Sequence, residues 1–76
     1  MKKNAQKPTF DCHGLTYYEV EDKLPNWILT NQNRLPIDVI TGNSAEMKKL
    51  CTKITEDLDF QHFTPMHNHG MITILS

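Results

Sequence analysis

The chain has no excess of either charge: eight Lys and Arg against nine Asp and Glu give a formal net charge of −1. The strongly basic balance of a high-affinity nucleic-acid binder is therefore missing, although local phosphate contacts stay open. No apolar run approaches the roughly 20 residues of a membrane span, so no membrane partner is expected. The start Met1-Lys2-Lys3 is basic, but no apolar segment follows it, so a secretory signal is not expected and the location expected is cytoplasmic. There are only two cysteines, Cys12 and Cys51, in no C-x-x-C spacing, which leaves a redox motif or a zinc knuckle with little support. The pair reads as two reduced thiols acting as small apolar residues. The sequence contains no repeats and no low-complexity tract. At 76 residues it has room for one core and one site; a domain of this size buries only about 60 % of its unfolded surface, so its stability should be marginal.

What is present begins with Thr9-Phe10-Asp11-Cys12-His13-Gly14-Leu15, an apolar strand running into a tight turn. Alternation along a strand puts Phe10 and Cys12 on one face and Asp11 and His13 on the other. An acid beside an imidazole can orient, bind and move protons. Equally, the same string is a strand with two polar residues facing solvent. Gly14 permits the sharp turn. Ahead of it, residues 1–8 read as a polar, mobile lead-in to a single domain over 9–76. Lys2, Lys3 and Lys7 there either attract a polyanion or keep the tail solvated.

Thr16, with Glu19 three residues on, forms a capping box and predicts a helix start. Val20, Leu24, Trp27 and Ile28 make one apolar stripe, with Trp27 read as a core residue. Pro25 interrupts the stripe and predicts a kink or a helix in two pieces, ending near Thr30 to Asn33. Leu35 to Gly42 reads as a second strand and its exit, with Pro36 at the entrance. Asn43 or Ser44 caps a second helix, whose stripe is Met47, Leu50, Cys51, Ile54 and Leu58. Lys48 and Lys49 lie off the stripe near the helix start, either as part of the solvated face or within reach of a bound anion. Phe60 to Met66 reads as a third strand and Met71 to Leu75 as a fourth, joined as a hairpin through the turn His67 to Gly70. The order β-α-β-α-β-β predicts an α/β two-layer (α+β) domain. Its four-stranded mixed sheet would carry two helices on one face, with the first two strands parallel.

In such a sheet the ligand crevice lies at the carboxyl ends of the parallel strands. His13-Gly14 and Thr41-Gly42 are those ends, and the second helix begins there with unpaired backbone N–H groups and a positive dipole end suited to phosphate. A carboxylate, an imidazole, a hydroxyl, a glycine turn and an anion-binding helix start in one crevice point to work on a phosphodiester.

Phe-Asp-Cys-His-Gly-Leu resembles the Leu-Asp-Leu-His-Gly-Leu signature of the small MutS-related (Smr) domain family. Val-Ile-Thr-Gly-Asn-Ser before an amphipathic helix resembles that family's second signature, a strand ending in Thr-Gly or His-Gly, then a variable residue and a glycine. Pro-Met-His-Asn-His-Gly-Met-Ile-Thr-Ile resembles its closing hairpin. The likeness spans residues 9–76. It departs at Ser44, where the second glycine usually stands, and at His67 and His69, where glycine is common. The resemblance implies a fold similar to the C-terminal domain of bacterial translation initiation factor three. It also implies nucleic-acid binding and, in many members, endonuclease activity on DNA or RNA. Carried over residue by residue, Asp11 and His13 become the catalytic pair. Gly14, Thr41, Gly42, Asn43, Ser44, Lys48 and Lys49 become the nucleic-acid and phosphate contacts. The cofactor expected is either none or a divalent metal such as Mg²⁺ or Mn²⁺.

Two other classes stand beside this one. A non-catalytic module would dock on nucleic acid or on a protein through the open sheet face, as a monomer or a weak homodimer paired at an exposed edge. A metal site would gather Asp11, His13, His67 and His69 around zinc.

Overall fold

The structure of the chain is a computed structural model and describes residues 7–76. Residues 1–6 of the expected lead-in, with Lys2 and Lys3, lie outside the described residues. The first strand, β1, covers Thr9–Asp11, shorter than the sequence suggests because the chain turns at His13 and Gly14. Pairing starts one residue earlier than the strand itself: the carbonyl of Pro8 accepts the N–H of Asp38 at 3.1 Å.

The first helix, α1, runs Tyr17–Thr30. Its capping box forms as the sequence predicts. The Thr16 hydroxyl accepts the Glu19 N–H at 3.1 Å, and the Glu19 carboxylate accepts the Thr16 N–H at 2.8 Å. Of the kink or the two-piece helix expected at Pro25, the two-piece helix does not form: α1 is one helix through it. Proline inside a helix costs about 3 kcal/mol. Val20 and Leu24 before it and Ile28 after it are all completely buried. Each such side chain returns about 1.5–3 kcal/mol, so packing on both sides outweighs the lost bond. A single 3-10 turn, Gln32–Arg34, follows.

Strand β2 covers Ile37–Ile40 and pairs in parallel with β1, placing Thr9 opposite Asp38, Phe10 opposite Val39 and Asp11 opposite Ile40. Helix α2 covers Ala45–Asp57. Its cap is Ser44, whose hydroxyl accepts the Met47 N–H at 3.1 Å. Its buried side is Met47, Cys51 and Thr55, flanked by the partly buried Leu50, Ile54 and Leu58. Thr55 lies outside the expected stripe. It fits because its hydroxyl donates to the Cys51 carbonyl at 2.8 Å, which satisfies the polar group inside the core.

Strand β3 is only His62–Phe63, ended by the Thr64-Pro65 segment, and β4 is Met71–Ile74. The two pair antiparallel as the expected hairpin. The strand order is β1-β2-β4-β3, with β4 antiparallel to both neighbours. The chain is thus an α+β two-layer domain with a four-stranded mixed sheet and two helices.

One face of the sheet presents Phe10, Cys12, Ile37, Val39, Ile72 and Ile74 to Val20, Leu24 and Ile28 of α1 and to Met47 and Cys51 of α2. Trp27 closes one edge of this core, its ring 5.4 Å from that of Phe10 at an interplanar angle of 59°. The opposite face carries no helix. There Thr73 donates its hydroxyl to Asp38 Oδ1 at 2.8 Å, and Lys7 Nζ lies 3.6 Å from the same oxygen. Phe63, Met66 and Leu75 stand exposed around them. Among the described residues, no helix is long and apolar enough to cross a membrane.

Candidate functional site

The parallel register of β1 and β2 sets both strand ends at one edge. The Cys12 N–H continues the pairing by donating to the Ile40 carbonyl at 2.9 Å. Immediately beyond, both chains turn at glycines in the left-handed region, Gly14 at φ 79° and Gly42 at φ 71°. A side chain there would be strained. The closing turn binds the second of them: the Gly70 carbonyl accepts the N–H groups of Thr41 and Gly42 at 2.8 and 2.9 Å. Helix α2 starts at the same edge, and Lys48 Nζ reaches across from it to the His69 carbonyl at 3.0 Å. Three turns and one helix start therefore meet at a single corner.

Within this corner, Asp11 and His13 do not form the side-chain pair that strand alternation suggests. Asp11 Oδ1 accepts the backbone N–H of His13 at 2.9 Å, the loop formed when an aspartate bonds the main chain two residues on. This ends the strand and places His13 in the turn. Its imidazole is exposed and has no hydrogen-bond partner among the described residues. The carboxylate orients the turn, and through it the imidazole. The spacing Asp-x-His carries the signal for this, since Asp and Asn often close turns in this way.

Thr41 is almost wholly buried, and its hydroxyl donates to the carbonyl of Gly42 at 3.1 Å. It therefore shapes the turn from inside. Asn43 and Ser44 are exposed in the loop before α2. The Ser44 hydroxyl is engaged by Met47, and the Ser44 carbonyl accepts the Lys48 N–H at 3.0 Å. The N–H groups of Ala45 and Glu46 remain without an acceptor among the described residues, as the first turn of a helix requires. The Glu46 carboxylate, which would repel an anion there, is bound by the Tyr17 hydroxyl at 3.0 Å. That bond also ties the starts of the two helices together. Lys48 is committed to the closing turn, whereas Lys49 is exposed beside Tyr17, Leu50 and Lys53 in a shallow groove between the helices.

The expected zinc set is not assembled. Among the described residues no three His, Cys, Asp or Glu side chains lie together as a metal cluster. His67 lies against the uncovered sheet face with Phe63, Met66 and Met71. His69 is exposed at the closing turn and uses its carbonyl for Lys48. His62 is paired elsewhere, with Nε2 2.9 Å from Glu56 Oε2.

Beneath the Asp11–Gly14 turn lies a contact that the sequence does not reveal. Cys12 Sγ and Cys51 Sγ are 3.6 Å apart, both buried and both reduced. Hydrogen bonding from Cys51 holds the Cys12 thiol below its ordinary value, while the same contact together with burial pushes Cys51 up.

Comparison of this chain with protein-family models, with curated proteins and with solved structures finds no match. The fold and the geometry of this corner are therefore what bears on function.

Proposed function

We propose that the chain is an Smr-like nucleic-acid-binding domain that cuts phosphodiester bonds, acting as a nicking endonuclease on DNA or RNA. The observation that supports this reading is the meeting of the Asp11–His13 turn, the Thr41–Ser44 turn and the start of α2 at one corner, the second of these turns braced by the Gly70 carbonyl. A phosphate received by the N–H groups of Ala45 and Glu46 sits at the positive end of the α2 dipole. Gly42 lets the backbone approach it closely, and Lys49 adds charge at the rim. His13 then takes a proton from the attacking oxygen or gives one to the leaving oxygen. Asp11 acts through the turn that fixes where the imidazole stands. Thr41 supports the turn from within and does not touch substrate.

A second reading is a module that binds without cutting. It is favoured by the engagement of two polar groups placed for chemistry: the Asp11 carboxylate on the His13 N–H and the Ser44 hydroxyl on the Met47 N–H. The net charge of −1 also suits weak docking. The two readings separate in one experiment on labelled RNA, supercoiled DNA and branched DNA. A nuclease converts substrate and loses conversion in His13→Ala. A binding module shows salt-dependent affinity with substrate left intact.

A further inference from the structure

We infer that Cys12 and Cys51 are a reversible oxidation site, a thiol pair that closes to an intramolecular disulfide when it meets a hydroperoxide. The inference stands on the packing of the pair and does not depend on the nuclease reading.

The two residues are 39 positions apart in sequence, one at the end of β1 and one in the middle of α2, yet their sulfurs are 3.6 Å from one another. A disulfide needs about 2.05 Å. Closure therefore asks for a contraction of about 1.5 Å, within the reach of side-chain adjustment on two anchored elements. The anchoring is specific. Cys12 is held by its N–H on the Ile40 carbonyl and by its own carbonyl, which accepts the Leu15 N–H at 3.0 Å. Cys51 is held inside α2, its carbonyl also receiving the Thr55 hydroxyl. Their mutual contact places two oxidisable sulfurs side by side inside the core.

The order of events follows from exposure. Cys12 is 3 % exposed at a surface turn and Cys51 is fully enclosed, so the oxidant meets Cys12 first. The direction of the Cys12 shift agrees, since its contact with Cys51 holds that thiol below its ordinary value. The Cys12 sulfur attacks one oxygen of hydrogen peroxide, the O–O bond breaks, and a sulfenic acid and one water result. The Cys51 sulfur then attacks Cys12, its proton leaves with the displaced hydroxyl as a second water, and the S–S bond forms. In balance, two thiols and one peroxide give one disulfide and two waters. A dithiol reverses the change by exchange. The product ties the turn bearing Asp11 and His13 to α2.

The test uses the whole chain treated with hydrogen peroxide, followed by intact mass and a non-reducing peptide map. The expected result is a monomer lighter by two hydrogens, with a peptide linking Cys12 to Cys51, restored by dithiothreitol. Closing a loop of this length also raises Tm by about 5 °C or more. Cys51→Ala, lacking the resolving thiol, should instead retain a sulfenic acid at Cys12 that dimedone traps. Should that variant fail to fold, the wild-type peptide map decides alone. The proposal is overturned by thiols that stay reduced in peroxide that readily oxidises the unfolded chain. It is equally overturned by sulfinic or sulfonic acid at Cys12 without the crosslink, or by disulfides only between molecules.

Discussion

The carboxylate of Asp11 accepts the backbone N–H of His13 at 2.9 Å, so the acid and the imidazole are linked through main chain and not through their side chains. This separates two roles that one substitution usually confounds. Asp11→Asn keeps an oxygen acceptor and should keep the turn, with stability within about 0.5 kcal/mol of wild type. Asp11→Ala loses the acceptor and should cost about 1 kcal/mol. Urea unfolding of the two variants checks this. Under the nuclease account Asp11 acts through this turn, so Asp11→Asn should keep cleavage and Asp11→Ala should weaken it.

The capping box of α1 gives a prediction with a pH signature. Thr16→Ala removes the hydroxyl bonded to the Glu19 N–H and should cost about 1 kcal/mol, a drop in Tm of about 4–8 °C. The Glu19 carboxyl is held below its ordinary value of 4.5, chiefly by the Thr16 backbone N–H and then by the Thr16 side chain. A folded value below the unfolded one means that the stabilisation is complete above 4.5 and is lost as pH falls through the folded value. Thermal melts of wild type and Glu19→Gln should therefore differ at neutral pH and converge in acid. A difference that grows on acidification contradicts this.

Ser44 replaces the glycine that the Smr resemblance leads one to expect, and its hydroxyl caps α2. Ser44→Ala should lose about 1 kcal/mol, whereas Ser44→Gly should lose only a few tenths, because glycine tolerates the cap position. Circular-dichroism melts of the pair distinguish a serine kept for its cap from one whose hydroxyl is idle. Equal losses in both variants would show that the hydroxyl is not what stabilises the helix start.

Gly42 has φ 71°, and no atom lies within 4 Å of where a Cβ would sit. Gly42→Ala therefore meets no clash and loses only what the left-handed backbone costs, about 1–2 kcal/mol. Denaturant midpoints should place it in that range. A larger loss would mean that the corner must shift to accept even a methyl group. The same reasoning covers Gly14, at φ 79° and equally uncrowded.

Much of the fold is legible because its signals are local. Thr16 and Glu19 announce the start of α1, Asn43 or Ser44 announces that of α2, and the apolar spacing of Val20, Leu24 and Ile28 marks the buried side of α1. A break at Pro25 is absent because the cost of a proline is local while the packing that overrides it is not. The insertion of β4 between β2 and β3 has no local signature, since strand order depends on pairings across long stretches of chain. At the candidate corner, the sequence brings Asp11, His13, Thr41 and Gly42 to one edge, and they lie there. What each side chain does at that edge is less visible. Thr41 faces the Gly42 carbonyl, Lys48 is taken by the His69 carbonyl, and the histidines of the closing turn stay apart from Asp11 and His13. The thiol contact of Cys12 with Cys51 depends on a strand end and a helix face meeting, which neither spacing nor composition encodes.

The most direct test of the account is cleavage by wild type and His13→Ala on single-stranded RNA, supercoiled DNA and branched DNA, each with Mg²⁺, with Mn²⁺ and with EDTA. His13 is exposed in its turn, so the substitution should leave the fold intact. The account predicts nicking or cleavage of at least one substrate by wild type and none by the variant. Binding without cleavage by wild type, or cleavage unchanged in the variant, contradicts it.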